Sequence, residues 1–171
     1  MKHSLKMLAA ALFALAAFLC GPSLQAQDAP PAGDFKNPYL SVNKSGKVVL
    51  TYTLWKDQVG KGKNTLVFFW ASWSDESREE AANVQAIYQQ YAANGLAVLG
   101  VPYGDEITDS MDAMTDWGIK YPQIVDVEDD IAGQFGFDSV PYIVLLGPSG
   151  ETVATGLRGE AIREAVEKYV K

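Results

Sequence analysis

Ser74 and Ser77 follow an apolar run in the stretch Phe68-Phe69-Trp70-Ala71-Ser72-Trp73-Ser74-Asp75-Glu76-Ser77-Arg78-Glu79-Glu80. A serine hydroxyl at a helix start has two uses. As a nucleophile it needs a general base beside it, because the free hydroxyl stays protonated. As an N-cap it accepts from a first-turn backbone N–H, and with an acidic first turn behind it contributes roughly 1 kcal/mol to the helix. The sequence contains one histidine, His3, and one cysteine, Cys20, both in the N-terminal leader. The capping reading therefore explains Ser74, Ser77, Glu79 and Glu80 without chemistry at either hydroxyl. Nor can two serines form a bond equivalent to a disulfide, so this turn has no two-electron redox couple.

Other clusters have equally plain readings. Asp75, Glu76, Glu79 and Glu80 could offer oxygens to a hard cation, but helical spacing splays them and no loop has calcium-ligand spacing. Neither a metal nor a cofactor is expected. The acidic run Asp126-Val127-Glu128-Asp129-Asp130 precedes a short helical pattern and reads as its cap. Trp70 lies within an apolar strand and reads as core, whereas Trp73 lies at the turn and reads as surface.

The elements that position these residues alternate. Tyr39 to Val42 and Lys47 to Thr53 flank the turn-rich Asn43-Lys44-Ser45-Gly46 and predict a hairpin. Residues 54–60 suit a brief helical turn, and Thr65 to Trp70 a strand buried on both faces and central to a parallel sheet. From Ser74, apolar Ala81, Val84, Ile87, Tyr88 and Tyr91 recur at helical spacing until Asn94-Gly95. Then come a strand over 97–101, a helix over 107–117, a strand over 123–127 and a short helix over 130–135. Tyr142 to Leu146 and Thr152 to Thr155 flank Gly147-Pro148-Ser149-Gly150, a type I turn pattern, and a helix closes the chain over 160–170. An α/β fold with a mixed central sheet and helices on both faces is the expected packing.

Trp70-Ala71-Ser72-Trp73 before the long helix, with Ser139-Val140-Pro141-Tyr142 before the terminal hairpin, resembles the thioredoxin-like superfamily and within it the TlpA-type periplasmic thiol-disulfide oxidoreductases. The resemblance covers roughly residues 37–171 and includes Trp117-Gly118-Ile119-Lys120-Tyr121-Pro122, where that family inserts an extra helix and strand. It implies a thioredoxin-like fold with an added N-terminal hairpin. It also implies that Ser74 and Ser77 occupy the attacking and resolving cysteine positions, and that Pro141 matches the family's cis-proline. Val140 would then offer backbone groups to an extended peptide. Trp73, Asp75, Glu76, Val140, Pro141 and Tyr142 together are the implied peptide-binding groove; Tyr142 could equally be core. Glu80 falls where many relatives have a glutamate that manages a thiol proton, a task without an object here. Phe68 stands where thioredoxins have a buried aspartate, and Asp75-Glu76 replaces the usual Gly-Pro or Pro-Pro. Two carboxylates there would raise the pKa of a neighbouring thiol.

Composition bounds the partners. Lys2 and Lys6, an apolar run from Met7 to Cys20 and the ending Leu24-Gln25-Ala26 read as a signal peptide over residues 1–26, cleaved near Ala26. The run is too short for a transmembrane span, and residues 27–36 read as a linker ahead of a domain over 37–171. Lipidation at Cys20 is the rival, opposed by Leu19, which is bulkier than the small residue a bacterial lipobox usually has. Removing the leader moves the formal net charge from −7 to −9, and with Lys56, Lys61 and Lys63 the one local basic group, the balance argues against a nucleic-acid partner.

The expected product is a periplasmic or secreted thioredoxin-fold protein without redox cysteines, its partner an envelope protein or extended peptide bound in a chaperone-like way. The enzyme alternative is TlpA-like thiol-disulfide exchange using a cysteine from elsewhere, of which Cys20 is the single internal source. A third reading, serines placed deliberately in an active enzyme, sits poorly with the leader and the Asp-Glu spacer.

Overall fold

The computed structural model describes residues 36–170. The signal-peptide reading and all of the linker except Lys36 lie outside the described residues. Strand β1 (Lys36–Val42) opens the fold and pairs antiparallel with β2 (Val48–Leu54). The Asn43 carboxamide closes this hairpin, its Oδ1 accepting from Ser45 N and Lys47 N at 3.0 Å each. One helical turn, α1 (Trp55–Gln58), follows.

Strand β3 (Thr65–Trp70) is buried at every residue and organises the rest. Period-two alternation sends Leu66, Phe68 and Trp70 into one core and Val67 and Phe69 into another. On one side β3 pairs parallel with β4 (Ala97–Pro102), on the other antiparallel with β6 (Tyr142–Leu146). The two-residue β5 (Gln123–Ile124) joins β4 to the hairpin, and β7 (Thr152–Thr155) forms the far edge. The seven-stranded mixed sheet runs β2-β1-β5-β4-β3-β6-β7.

Three longer helices, α2 (Asp75–Tyr91), α3 (Ile107–Asp116) and α4 (Glu160–Tyr169), cover the first core through Ala81, Val84, Met114, Ile162 and Val166. The second core is closed by α1 and a 3-10 turn at Ala132–Gln134, through Trp55, Ile131 and Ala132. Helical cover thus exists on both faces, unequally. α3 and β5 occupy the place of the expected inserted helix and strand.

Lys36, expected in the linker, begins β1, and the turn expected over 54–60 is the shorter α1; two larger differences lie further on. The strand over 123–127 is two residues long, and the helix over 130–135 is the 3-10 turn alone. Both have one cause. Asp126 turns inward, and its carboxylate accepts from Ile131 N at 3.1 Å and Ala132 N at 2.7 Å, so the chain leaves the sheet and Val127 is 58% exposed. The acidic run caps as expected, through Asp126.

A buried carboxamide fastens the sheet beneath the site. Gln123 Oε1 accepts from Trp70 Nε1 at 2.8 Å, and Gln123 Nε2 donates to Tyr121 O at 2.9 Å. Gly100, its register partner on β4, makes the room: a Cβ there would stand 1.6 Å from Gln123 Oε1.

Candidate functional site

The strand β3 ends at Trp70, whose carbonyl accepts from Tyr103 N at 2.8 Å, and the chain turns sharply, Ser74 N donating to Ala71 O at 3.1 Å. Ser74 has extended backbone angles (φ −98°, ψ 116°) and caps α2, its Oγ accepting from Ser77 N at 3.1 Å. The same hydroxyl donates to Glu76 Oε2 at 3.3 Å. Ser77 Oγ reaches back to accept from Ala71 N at 3.3 Å. Both hydroxyls are thus engaged in closing the turn, and Ser74 is 5% and Ser77 0% exposed. With His3 the one histidine of the sequence, no imidazole stands among the described residues to activate either hydroxyl.

Asp105 holds the turn from the β4–α3 loop: its carboxylate accepts from Ser72 N at 2.8 Å and Ser72 Oγ at 3.0 Å. Burial pushes the Asp105 carboxyl above its ordinary range, against the pull of the two Ser72 hydrogen bonds. Sequence reasoning missed this residue, since its partner lies across the sheet end. Glu80 has a structural task. It is buried, and its Oε1 accepts from Gly159 N and from Asn83 Nδ2, each at 2.9 Å, tying α2 to the entry of α4. Phe68 is fully buried and stacks against Trp70 at 6.4 Å between centroids, so the strand beneath the turn offers no proton acceptor at that position.

The second motif arrives from β6. Phe69 on β3 pairs with Tyr142, so the segments beyond them, Trp70-Ala71 and Pro141-Val140, meet at the same end of the sheet. The Val140–Pro141 peptide bond is cis, Pro141 is buried, and Val140 and Tyr142 are half-buried against the second core. Tyr142 stacks on Phe137 (4.9 Å, 20°), and Tyr103 meets Phe137 edge-on at 5.5 Å. Phe137 and Tyr103 extend this aromatic shelf and were missed in the sequence, although Phe137 lies just ahead of Ser139-Val140-Pro141. Trp73 is 69% exposed at the turn, and Asp75 and Glu76 are exposed beside it. Asp75, Glu76 and Glu79 face solvent while Glu80 turns inward, so the four carboxylates do not converge.

What the fold and this end of the sheet define is a thioredoxin-like protein, with serine at both positions of the paired-residue turn and a cis-proline motif on the neighbouring strand. The chain belongs to the AhpC/TSA family, whose model matches residues 29–154. It is similar to the thiol-disulfide oxidoreductase ResA of Bacillus anthracis, 24% identical over 111 residues, which are 65% of this chain and 64% of that protein. The ResA of Bacillus subtilis strain 168 is 22% identical over 104 residues, 60% of this chain and 58% of that one. The chain therefore spans less than two thirds of the length of these relatives. Among solved structures, the thioredoxin domain of a thiol-disulfide oxidoreductase from Bacteroides vulgatus superposes with a TM-score of 0.67 at 26% identity, covering 87% of this chain and all of that domain. A thiol-disulfide oxidoreductase from Bacteroides fragilis shares the fold with a TM-score of 0.64 at 22% identity, over 82% of this chain and 98% of that one. No helix among the described residues is long and apolar enough to cross a membrane.

Proposed function

We propose that this protein is an exported member of the thioredoxin-like thiol-disulfide oxidoreductase family that does no disulfide exchange and instead holds an extended segment of an envelope protein, in a chaperone-like way. One observation carries the reading: both hydroxyls at the cysteine positions are spent on the turn, Ser74 capping α2 and Ser77 accepting from Ala71 N. Serine there supplies neither thiolate nor redox couple, but it preserves the strand–turn–helix scaffold. The exposed Trp73, the half-buried Val140 and Tyr142 and the cis Pro141 support a groove that outlives the chemistry, with Asp75 and Glu76 at its rim. Export rests on the leader over residues 1–26.

The naming of the relatives as oxidoreductases favours a second reading, exchange through a cysteine supplied by Cys20 or by a partner. Insulin reduction by the full chain, run beside Cys20→Ser, separates the two for the internal thiol, since turnover that depends on Cys20 refutes the first. Binding is tested by suppression of aggregation of an unfolded model protein. Suppression that weakens in Trp73→Ala and Tyr142→Ala supports the groove, and no suppression by the wild type refutes it.

A further inference from the structure

The two edges of the sheet are treated differently. β7 is four residues long and meets β6 through a register irregularity at Leu145/Leu146, a device that blunts an edge. β2 is seven residues, Val48-Val49-Leu50-Thr51-Tyr52-Thr53-Leu54, in regular register with β1 and without a charge, a proline or a glycine. Leu50 is 42% and Tyr52 63% exposed on the same face. Such a strand presents unpaired backbone groups and apolar side chains together, the pattern that accepts an added strand.

Charge identifies what it accepts. Residues 36–63 contain six lysines and one acid, Asp57, whereas residues 64–157 contain fifteen acids against Arg78 and Lys120 alone. Residues 158–171 are near balance, with four bases and three acids, so the strongly basic share of the domain is the one that carries β2. Exposed Lys44 and Lys47 mark its turn end, and exposed Lys36, paired with Leu54, marks the other. A second copy fits poorly, because antiparallel self-pairing about Thr51 brings the two lysine-bearing ends together. The chain's own preceding segment is interrupted by Pro30-Pro31 and makes a poor strand.

We infer that β2 is a docking strand for an extended segment of another protein, apolar or β-branched in its middle and carrying carboxylates at both ends. The site is independent of the serine turn, four strands away in the sheet, about 19 Å at ordinary strand spacing.

The test uses a Val/Thr decapeptide flanked by Asp-Glu pairs, the same peptide flanked by lysines, and the acidic peptide N-methylated on alternate residues. Amide hydrogen exchange of the full chain is followed by NMR. The acidic peptide is expected to slow exchange at alternate amides of residues 48–54 and to bind about tenfold tighter than the lysine peptide at low salt. Lys44→Gln with Lys47→Gln is expected to erase most of that preference, and N-methylation to erase binding. Equal binding of both charge types overturns the inference, as does protection elsewhere. So does protection, in the peptide-free chain, of the β2 amides that point away from β1: concentration-dependent protection assigns the edge to a second copy, and concentration-independent protection to the chain's own leader segment.

Discussion

Ser77 is wholly enclosed, and its hydroxyl is the partner of the Ala71 amide at the tightest point of the turn. Ser77→Ala leaves that N–H buried without an acceptor, a loss of about 1–3 kcal/mol, against about 1 kcal/mol for Ser74→Ala, which removes the cap. Urea midpoints check the order, and Ser74→Thr should retain most of the cap. If either serine were a nucleophile instead, alanine would abolish an activity while sparing the midpoint. A companion prediction concerns the thiols this site lacks. Ser74→Cys with Ser77→Cys should form a disulfide, but Asp75 and Glu76 should hold the attacking thiol above its usual value for a helix N-terminus. Adding Asp75→Asn and Glu76→Gln should lower it, as iodoacetamide rates against pH would report. At this scale the sequence is legible where partners are near. The Ser74 cap and the exposure of Trp73 follow from local pattern. Asp105, 33 residues from Ser72, and Gly159, 79 residues from Glu80, are brought in by the fold and leave no local mark.

At the scale of elements, the parallel pairing of β3, β4 and β5 depends on a void left by Gly100. A Cβ there collides with Gln123 Oε1, and moving that carboxamide unpairs both the Trp70 indole and the Tyr121 carbonyl. Gly100→Ala should therefore cost about 2–4 kcal/mol, more than strand propensity would predict, with part recovered in Gly100→Ala/Gln123→Ala. Denaturant unfolding of the single and double variants measures the coupling, and independent, additive losses would refute it. Continuous apolar runs and helical spacing made β3, α2 and α4 legible in full. The stretch 123–135 was less so, because a strand there is β-prone by composition yet ends where Asp126 leaves it to cap the 3-10 turn. Burial decides that boundary, and a single sequence does not display burial for a lone acid within an acidic run.

Across the whole molecule, fifteen acids and two bases over residues 64–157 make self-repulsion a standing cost at neutral pH and low salt. Two of those acids sharpen the pH dependence. Burial pushes the carboxyls of Asp105 and Asp126 above the ordinary value of 3.8, so the folded state holds their protons more tightly than the unfolded chain does. Their contribution is fully present below that value and is lost as pH rises through the raised ones. Glu151 acts the other way, held low by the Ser149 hydroxyl, and its contribution is lost as pH falls below 4.5. It sits at the surface in the β6–β7 turn, where solvent screens it. No histidine among the described residues opposes the trend near neutrality. The expected melting temperature therefore rises as pH falls from neutrality toward the ordinary carboxylate range, and salt raised to about 0.5 M should lift it more at neutral pH than in that range. Asp105→Asn keeps an acceptor for Ser72 N while removing the titration, so it should flatten the slope just above the ordinary carboxylate range. Scanning calorimetry across pH decides the matter: a stability maximum above neutrality would mean that the carboxylates of this acidic face are net stabilised by the fold, which the burial of Asp105 and Asp126 contradicts.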